Sequence, residues 1–165
     1  MKKIVFTGGP GVGKTTLLEE FEKLGFVVLP ECARAVIQEE QIREKQCPEY
    51  EGVFPWNNVW GFQQRVIEKQ RQQENQNLDG CVLLDRCFVD SIVYLRNGGY
   101  EVSDELIEMI KAADYKIVFM LNPLPDYKAD AQRLESVEEA ARIHDLVGQT
   151  IAEFDFEMVD VPTMP

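Results

Sequence analysis

The chain has 165 residues, enough for one domain with its own core. Its 29 acidic and 17 basic residues give a formal net charge of −12. That excludes the broad basic footprint of a protein that binds a nucleic-acid polymer, but a small anion can still be held by a few oriented amides and one or two cations.

No apolar run approaches the length needed to span a bilayer. The start, Met1-Lys2-Lys3, leads directly into a short apolar run, which is not the pattern of a signal peptide. Four cysteines, Cys32, Cys47, Cys81 and Cys87, contain no C-x-x-C pair, and the one histidine, His144, is far away in sequence. This opposes a zinc site and reads as reduced thiols in a cytoplasmic protein.

In chain order, residues 2–7 predict a buried strand, and residues 14–24 predict a helix with Leu17, Leu18, Phe21 and Leu24 on one side. Gly25 suits the end of that helix. "FVVLP", 26–30, is a second apolar strand stopped by proline. Residues 31–45 predict a helix burying Ala33, Val36, Ile37 and Ile42. Residues 46–60 are irregular, punctuated by Pro, Gly and Asn, yet carry Tyr50, Phe54, Trp56 and Trp60. A long polar helix over 60–78 has a partial apolar face of Phe62, Val66, Ile67 and Leu78, so it is expected to be half exposed.

"CVLLD", 81–85, is the third strand, and 88–97 is helical until Gly98-Gly99 breaks it. Ser103, Asp104 and Glu105 mark the N-terminus of a helix running to about Ala113. "YKIVFML", 115–121, is the fourth strand, 122–136 a proline-punctuated loop, 137–153 a helix and "FEMVDV", 156–161, the fifth strand. Without a repeat or a linker, 1–165 reads as a single domain. Nearly continuous apolar strands alternating with helices predict an α/β fold, a three-layer αβα sandwich around a five-stranded, mostly parallel sheet.

Gly8-Gly9-Pro10-Gly11-Val12-Gly13-Lys14-Thr15 fits G-x-x-x-x-G-K-[ST], between a strand and a helix. A loop that wraps phosphate must turn its amides inward, at backbone angles that glycine adopts without strain. The following helix aims its N-terminal amides and dipole at the anion. Lys14 reaches the β- and γ-phosphates, Thr15 places its hydroxyl on Mg²⁺, and Thr16 extends the cradle. The bound nucleotide is expected to be ATP, with GTP as the other candidate. A phosphate-bound metal calls for a carboxylate at the end of another buried strand. Asp85 stands there as the second metal residue, or else as a cap for the helix that follows.

"GGPGVGKTT" together with "VLLDR" resembles the P-loop NTPase and kinase superfamily. Asp85-Arg86 is similar to the Asp-Arg or Glu-Arg pair that ends the third strand in thymidylate and deoxynucleoside kinases. The first forty residues and "LNPLPDY" resemble small AAA-type domains related to the NadR ribosylnicotinamide kinase domain.

The resemblance implies catalytic roles for Lys14, Glu31, Asp85, Arg86 and Arg133. Glu31, in "LPECAR", would accept the proton of a substrate hydroxyl, or would serve only as a carboxylate at a helix N-terminus. Arg34 would pair with Glu31 or hold a substrate phosphate. Arg86 would face the transferred phosphate or lock Glu31. Arg133, and less directly Arg142, fall where the superfamily carries a lid, about 122–139. "WGFQQR", 60–65, lies by an acceptor region of about 46–64. There Gln63 or Gln64 would read a base and Trp56, Trp60 or Phe62 would stack on it, or the aromatics would face the core. Asp90 would bind a sugar hydroxyl or lie solvated on its helix. The loop after the fifth strand would pack on the adenine.

Two functions follow. The first is a kinase moving the γ-phosphoryl group of ATP to a small, hydroxyl-bearing acceptor, nucleoside-like or phosphorylated, that enters between the 46–64 segment and the lid. The second is a switch or NTPase whose nucleotide orders a surface for a protein or lipid partner. A dinucleotide-binding Rossmann fold fails, because G-x-G-x-x-G is absent from the first turn.

Overall fold

The computed structural model describes residues 2–76, 78–124 and 136–163. Its elements are β1 (Lys2–Thr7), α1 (Lys14–Lys23), β2 (Val27–Leu29), α2 (Cys32–Gln46), α3 (Val59–Glu74), β3 (Cys81–Asp85), α4 (Phe88–Asn97), α5 (Asp104–Ala112), β4 (Tyr115–Leu121), α6 (Val137–Ile151) and β5 (Met158–Val161). The strands form one sheet in the order β2-β3-β1-β4-β5. Every pairing is parallel, with Val5 opposite both Leu84 and Val118. The fold is three-layered α/β, as the alternation of elements implied.

Strand side chains alternate between two covered faces. Val5, Leu29, Val82, Leu84, Val118 and Met120 face α4, α5 and α6. Phe6, Leu83 and Leu121 face the other way, against Leu18 of α1 and Val12 of the loop before it. Phe6 also stacks on Phe119, with ring centroids 5.1 Å apart. A sheet buried on both sides has no polar strand face, which is why its strands read as continuous apolar runs.

A third cluster stands apart from the sheet. Phe54 packs with Val36 and Ile37 of α2 and with Phe62 and Val66 of α3. Glu40 fastens the 47–58 segment to these helices. Its side chain is 1% exposed and accepts from Tyr50 Oη at 2.6 Å, Arg65 Nη1 at 2.7 Å and the Val53 amide at 2.9 Å.

Several boundaries differ from expectation. α3 stops at Glu74, where Asn75 takes the C-cap, so Leu78 lies beyond it. β2 and β5 are shorter than the apolar runs that contain them. Leu24 is 75% exposed and Ile42 53% exposed. Both lie near helix ends, where the buried stripe has rotated off the core. Among the described residues no helix is long and apolar enough to cross a membrane.

The sheet order reverses at β1, whose neighbours are β3 and β4. In open parallel sheets, ligands bind beyond the strand C-termini at such a reversal. The glycine-rich loop leaves β1 there, Glu31 follows β2, and Asp85-Arg86 closes β3.

Candidate active site

The loop between β1 and α1 winds tightly. Gly8, Gly11 and Gly13 have φ of 135°, 76° and 86°. A Cβ on Gly8 would stand 2.7 Å from the Leu121 carbonyl oxygen, so side-chain bulk and backbone angle both demand glycine. A Cβ on Gly9 would stand 2.9 Å from the Ala140 carbonyl and from His144. These two glycines lie against β4 and α6. The stretch from Pro10 to Thr16 lines a cleft of about 140 Å³, with Gly13 as the left-handed N-cap of α1.

Lys14 is buried, 6% exposed, and folds back over its own loop. Its Nζ donates to the carbonyl oxygens of Gly8 at 3.1 Å and Gly9 at 2.9 Å. Burial, and then the charge of Arg86, bring its pKa down to about 7, against the pull of Asp85, Glu31 and Asp90. The Thr15 hydroxyl donates to Asp85 Oδ2 at 2.9 Å. Asp85 Oδ1 is buried without a hydrogen-bond partner. Burial, reinforced by Glu31, raises the Asp85 pKa against the pull of Lys14 and Arg86. A hydroxyl beside an unsatisfied carboxylate oxygen, at the foot of a phosphate loop, fits a magnesium ion held partly through water.

The opposite wall holds Glu31 between two guanidinium groups. Arg86 Nε donates to Glu31 Oε1 at 2.9 Å, and Arg34 Nε donates to Oε2 at 3.2 Å. Burial alone would raise the Glu31 pKa, but Arg86, Lys14 and Arg34 together lower it. Arg86 Nη1 also donates to Asp90 Oδ1 at 2.7 Å and to the Gly8 carbonyl at 3.3 Å. Its guanidinium lies over the Tyr94 ring, 5.8 Å from the centroid. The Arg86 backbone has φ of 74°, left-handed for a residue with a side chain, and its amide donates to Phe6 O at 3.0 Å.

Asp90 is not solvated on its helix, and it lines the cleft. It is buried and takes Thr7 Oγ1 at 2.8 Å and the Cys87 amide at 2.9 Å besides Arg86. The overlooked signal is a capping box at the start of α4, formed by Cys87 and Asp90. It draws the carboxylate inward to the end of β1.

Phe62 and Gln63 line the same cleft, both buried. Gln63 Oε1 has no hydrogen-bond partner. Gln64 is exposed on α3. Trp56 and Trp60 are about half exposed, so they are not core aromatics, and Trp56 stacks on Phe54 with centroids 4.7 Å apart. Arg142 is exposed on α6. Arg133 and the rest of residues 125–135 of the expected lid fall outside the described residues.

Fold and loop together define a P-loop NTPase domain of kinase-like α/β architecture. The chain belongs to an AAA domain family, whose pattern it matches over residues 3–165. Among solved structures it is similar to the NadR protein in complex with NR, at 19% identity and a TM-score of 0.62, over 96% of this chain and 45% of that one. It is similar to the M. mycoides deoxyadenosine kinase with the products dCMP and a flexible dCDP bound, at 17% identity and a TM-score of 0.65, over 96% of this chain and 88% of that one. A NadR structure with NAD and AMP-PNP matches at 17% identity and a TM-score of 0.58, over 97% and 44% of the two chains. At these identities the likeness is one of fold, and the chain spans less than half the length of the NadR proteins. A search of curated proteins returns no match.

Proposed function

We propose that the protein is a kinase that moves the γ-phosphoryl group of ATP to a small nucleoside-like acceptor, and that residues 1–165 act as one catalytic domain. The observation that carries this reading is the shape of one cleft with two chemistries. The phosphate loop forms one wall, while Glu31, Arg86, Phe62 and the unsatisfied Gln63 form the other. An NTPase that needs only water has no use for a buried, unpartnered amide oxygen on a residue that lines the cleft of its phosphate loop.

Residues 10–16 cradle the phosphates through main-chain amides, and the Lys14 ammonium leaves the Gly8 and Gly9 carbonyls to follow them. Thr15 and Asp85 would hold magnesium, which when bound neutralises phosphate charge. Gln63 offers its amide to a base edge, and Phe62 offers its ring. Glu31 stands where the reacting end of the acceptor enters. The acceptor oxygen bonds to the γ-phosphorus as the bridging oxygen leaves with ADP, and the hydroxyl proton passes to the Glu31 carboxylate and on to water. Arg133, in the lid, would supply charge to the transferring group.

The test is an acceptor screen. The protein is incubated with Mg·ATP and a panel of nucleosides, nicotinamide riboside included, while ADP is followed. Acceptor-dependent ADP with a phosphorylated product is the expected result. ADP release indifferent to every acceptor would turn the assignment to a nucleotide switch or simple NTPase.

A further inference from the structure

The phosphate loop is braced from two sides. From inside the cleft, Lys14 Nζ bonds the Gly8 and Gly9 carbonyls. In the proposed reaction Lys14 leaves these carbonyls to follow the phosphates, and both bonds are lost. Arg86 Nη1 still holds the Gly8 carbonyl, at 3.3 Å. The other brace comes from outside the cleft. The Gly9 amide donates to Nδ1 of His144, on α6, at 3.3 Å. Among the described residues this is the one side-chain bond to a main-chain amide of residues 8–13.

α6 is built to hold that contact. Ala140 and His144 stand one turn apart on it and share a face. Both press on Gly9, where a Cβ would stand 2.9 Å from the Ala140 carbonyl oxygen and 2.9 Å from His144 Cβ. Ile143, Val147 and Ile151 anchor the helix in the core. To accept from Gly9, Nδ1 must be unprotonated, so the ring proton sits on Nε2. Burial lowers the His144 pKa from the usual 6.5. Lys14 of α1 acts the same way, while Asp145 on α6 and Asp160 on β5 oppose it. The ring is therefore mostly neutral near pH 7. A protonated Nδ1 would set a donor against the Gly9 donor, and Gly9 is packed too closely on α6 to turn aside.

We propose that His144 is a positioning residue for the triphosphate: its Nδ1 pins the Gly9 amide and keeps the loop in its phosphate-wrapping shape once Lys14 has left the loop carbonyls. The cleft lining starts at Pro10, so His144 acts through Gly9 and not on the phosphates. This rests on the reading of residues 8–15 as a phosphate loop and needs no particular acceptor.

The chain has one histidine, so its ring can be followed by NMR without mutation. In protein labelled with 15N-histidine, Nδ1 should be the unprotonated nitrogen at neutral pH, both in the free protein and with Mg·AMP-PNP bound. An Nδ1–H tautomer in either state overturns the inference.

Calorimetry of Mg·ATP binding gives the second test. His144→Ala should weaken affinity roughly 3- to 10-fold, the range of one neutral hydrogen bond. His144→Asn places an acceptor oxygen close to the position of Nδ1 and should restore affinity to within about twofold of wild type. His144→Gln, whose acceptor lies one bond further out, should not. As pH falls from about 8 to about 5, the wild type should lose affinity relative to His144→Asn, because only the imidazole acceptor is protonated. Protonation of the nucleotide and of the cleft carboxylates is common to both proteins and cancels in the ratio. A role in folding alone would lower the melting temperatures of the variants and leave affinity and its pH profile unchanged, and that result overturns the inference. So does a ratio that stays flat or shifts toward the wild type at low pH, while the phosphate loop itself stands. Absence of nucleotide binding to the wild type overturns both. A failed acceptor screen beside the expected His144 results removes only the kinase assignment.

Discussion

Triphosphate binding should draw a proton out of solution, and Lys14 is where it goes. The ammonium is almost fully buried, held by two carbonyls and faced by the Arg86 guanidinium. Its pKa falls from the usual 10.5 to about 7. About half of the Lys14 side chains are therefore neutral near pH 7, nearly all near pH 8.5, and very few near pH 5.5. A polyphosphate brings several negative charges against Nζ and restores the charged form. Uptake on binding is then about half a proton near pH 7, close to one near pH 8.5, and almost none near pH 5.5. Calorimetry in buffers of different ionisation enthalpy measures it at each pH. The phosphate's own proton, with a pKa of about 6, contributes the opposite trend and is gone near pH 8.5. Zero uptake at that pH, with tight binding, would refute the argument.

The same shift has a stability consequence. The folded pKa lies below the unfolded one, so between about pH 7 and pH 10.5 the unfolded chain holds more protons. Stability of the ligand-free protein should rise with pH across that window. The difference between 10.5 and about 7 sets an upper limit on the order of 5 kcal/mol.

Four further outcomes are expected. Lys14→Ala should abolish nucleotide binding in the same calorimetry, and an unchanged affinity would remove the phosphate site from this loop. Glu31→Gln should keep Mg·ATP binding and lower transfer by roughly 10²- to 10⁴-fold; full activity would leave Glu31 no part in the reaction. Glu40→Ala strips a buried carboxylate from Arg65, Tyr50 and the Val53 amide. It should reduce stability by roughly 3–5 kcal/mol in urea unfolding, and a loss under about 1 kcal/mol would show that Glu40 is not what holds the 47–58 segment. Gly8→Ala should lose nucleotide binding and lower the melting temperature, because its Cβ would stand 2.7 Å from the Leu121 carbonyl.

The sheet and the phosphate loop were legible in sequence because each has a local signature. Buried parallel strands show as unbroken apolar runs, and a left-handed loop shows as glycines at fixed spacing before Lys14. The roles of Glu31 and Arg86 came chiefly through resemblance, with Glu31 also standing at a strand C-terminal end where parallel sheets bind ligands. The two residues lie 55 residues apart, and their 2.9 Å contact exists because β2 and β3 are neighbours in the sheet. Asp90 and Glu40 were illegible for a different reason. A lone acidic residue on a helix reads as surface, and only the tertiary partners of these two show them to be buried. Leu24 and Ile42 erred in the opposite sense, by carrying the apolar period to helix ends that no longer face a neighbour.

The charges of the cleft divide into a cation that can move and one that cannot. Lys14 sits on a flexible four-carbon stem and holds only neutral carbonyls, which a phosphate readily replaces. Arg86 is fixed by a carboxylate on each side, by Gly8 and by a left-handed backbone. Lys14 can therefore follow a phosphate as charge develops, while Arg86 holds the loop and the acceptor wall in one frame. Arg86→Lys keeps the charge but cannot bond Glu31, Asp90 and Gly8 at once. It should therefore damage transfer more than nucleotide affinity, as measured by kcat against the Kd for Mg·ATP. Equal damage to both would mean that Arg86 serves the phosphate loop alone.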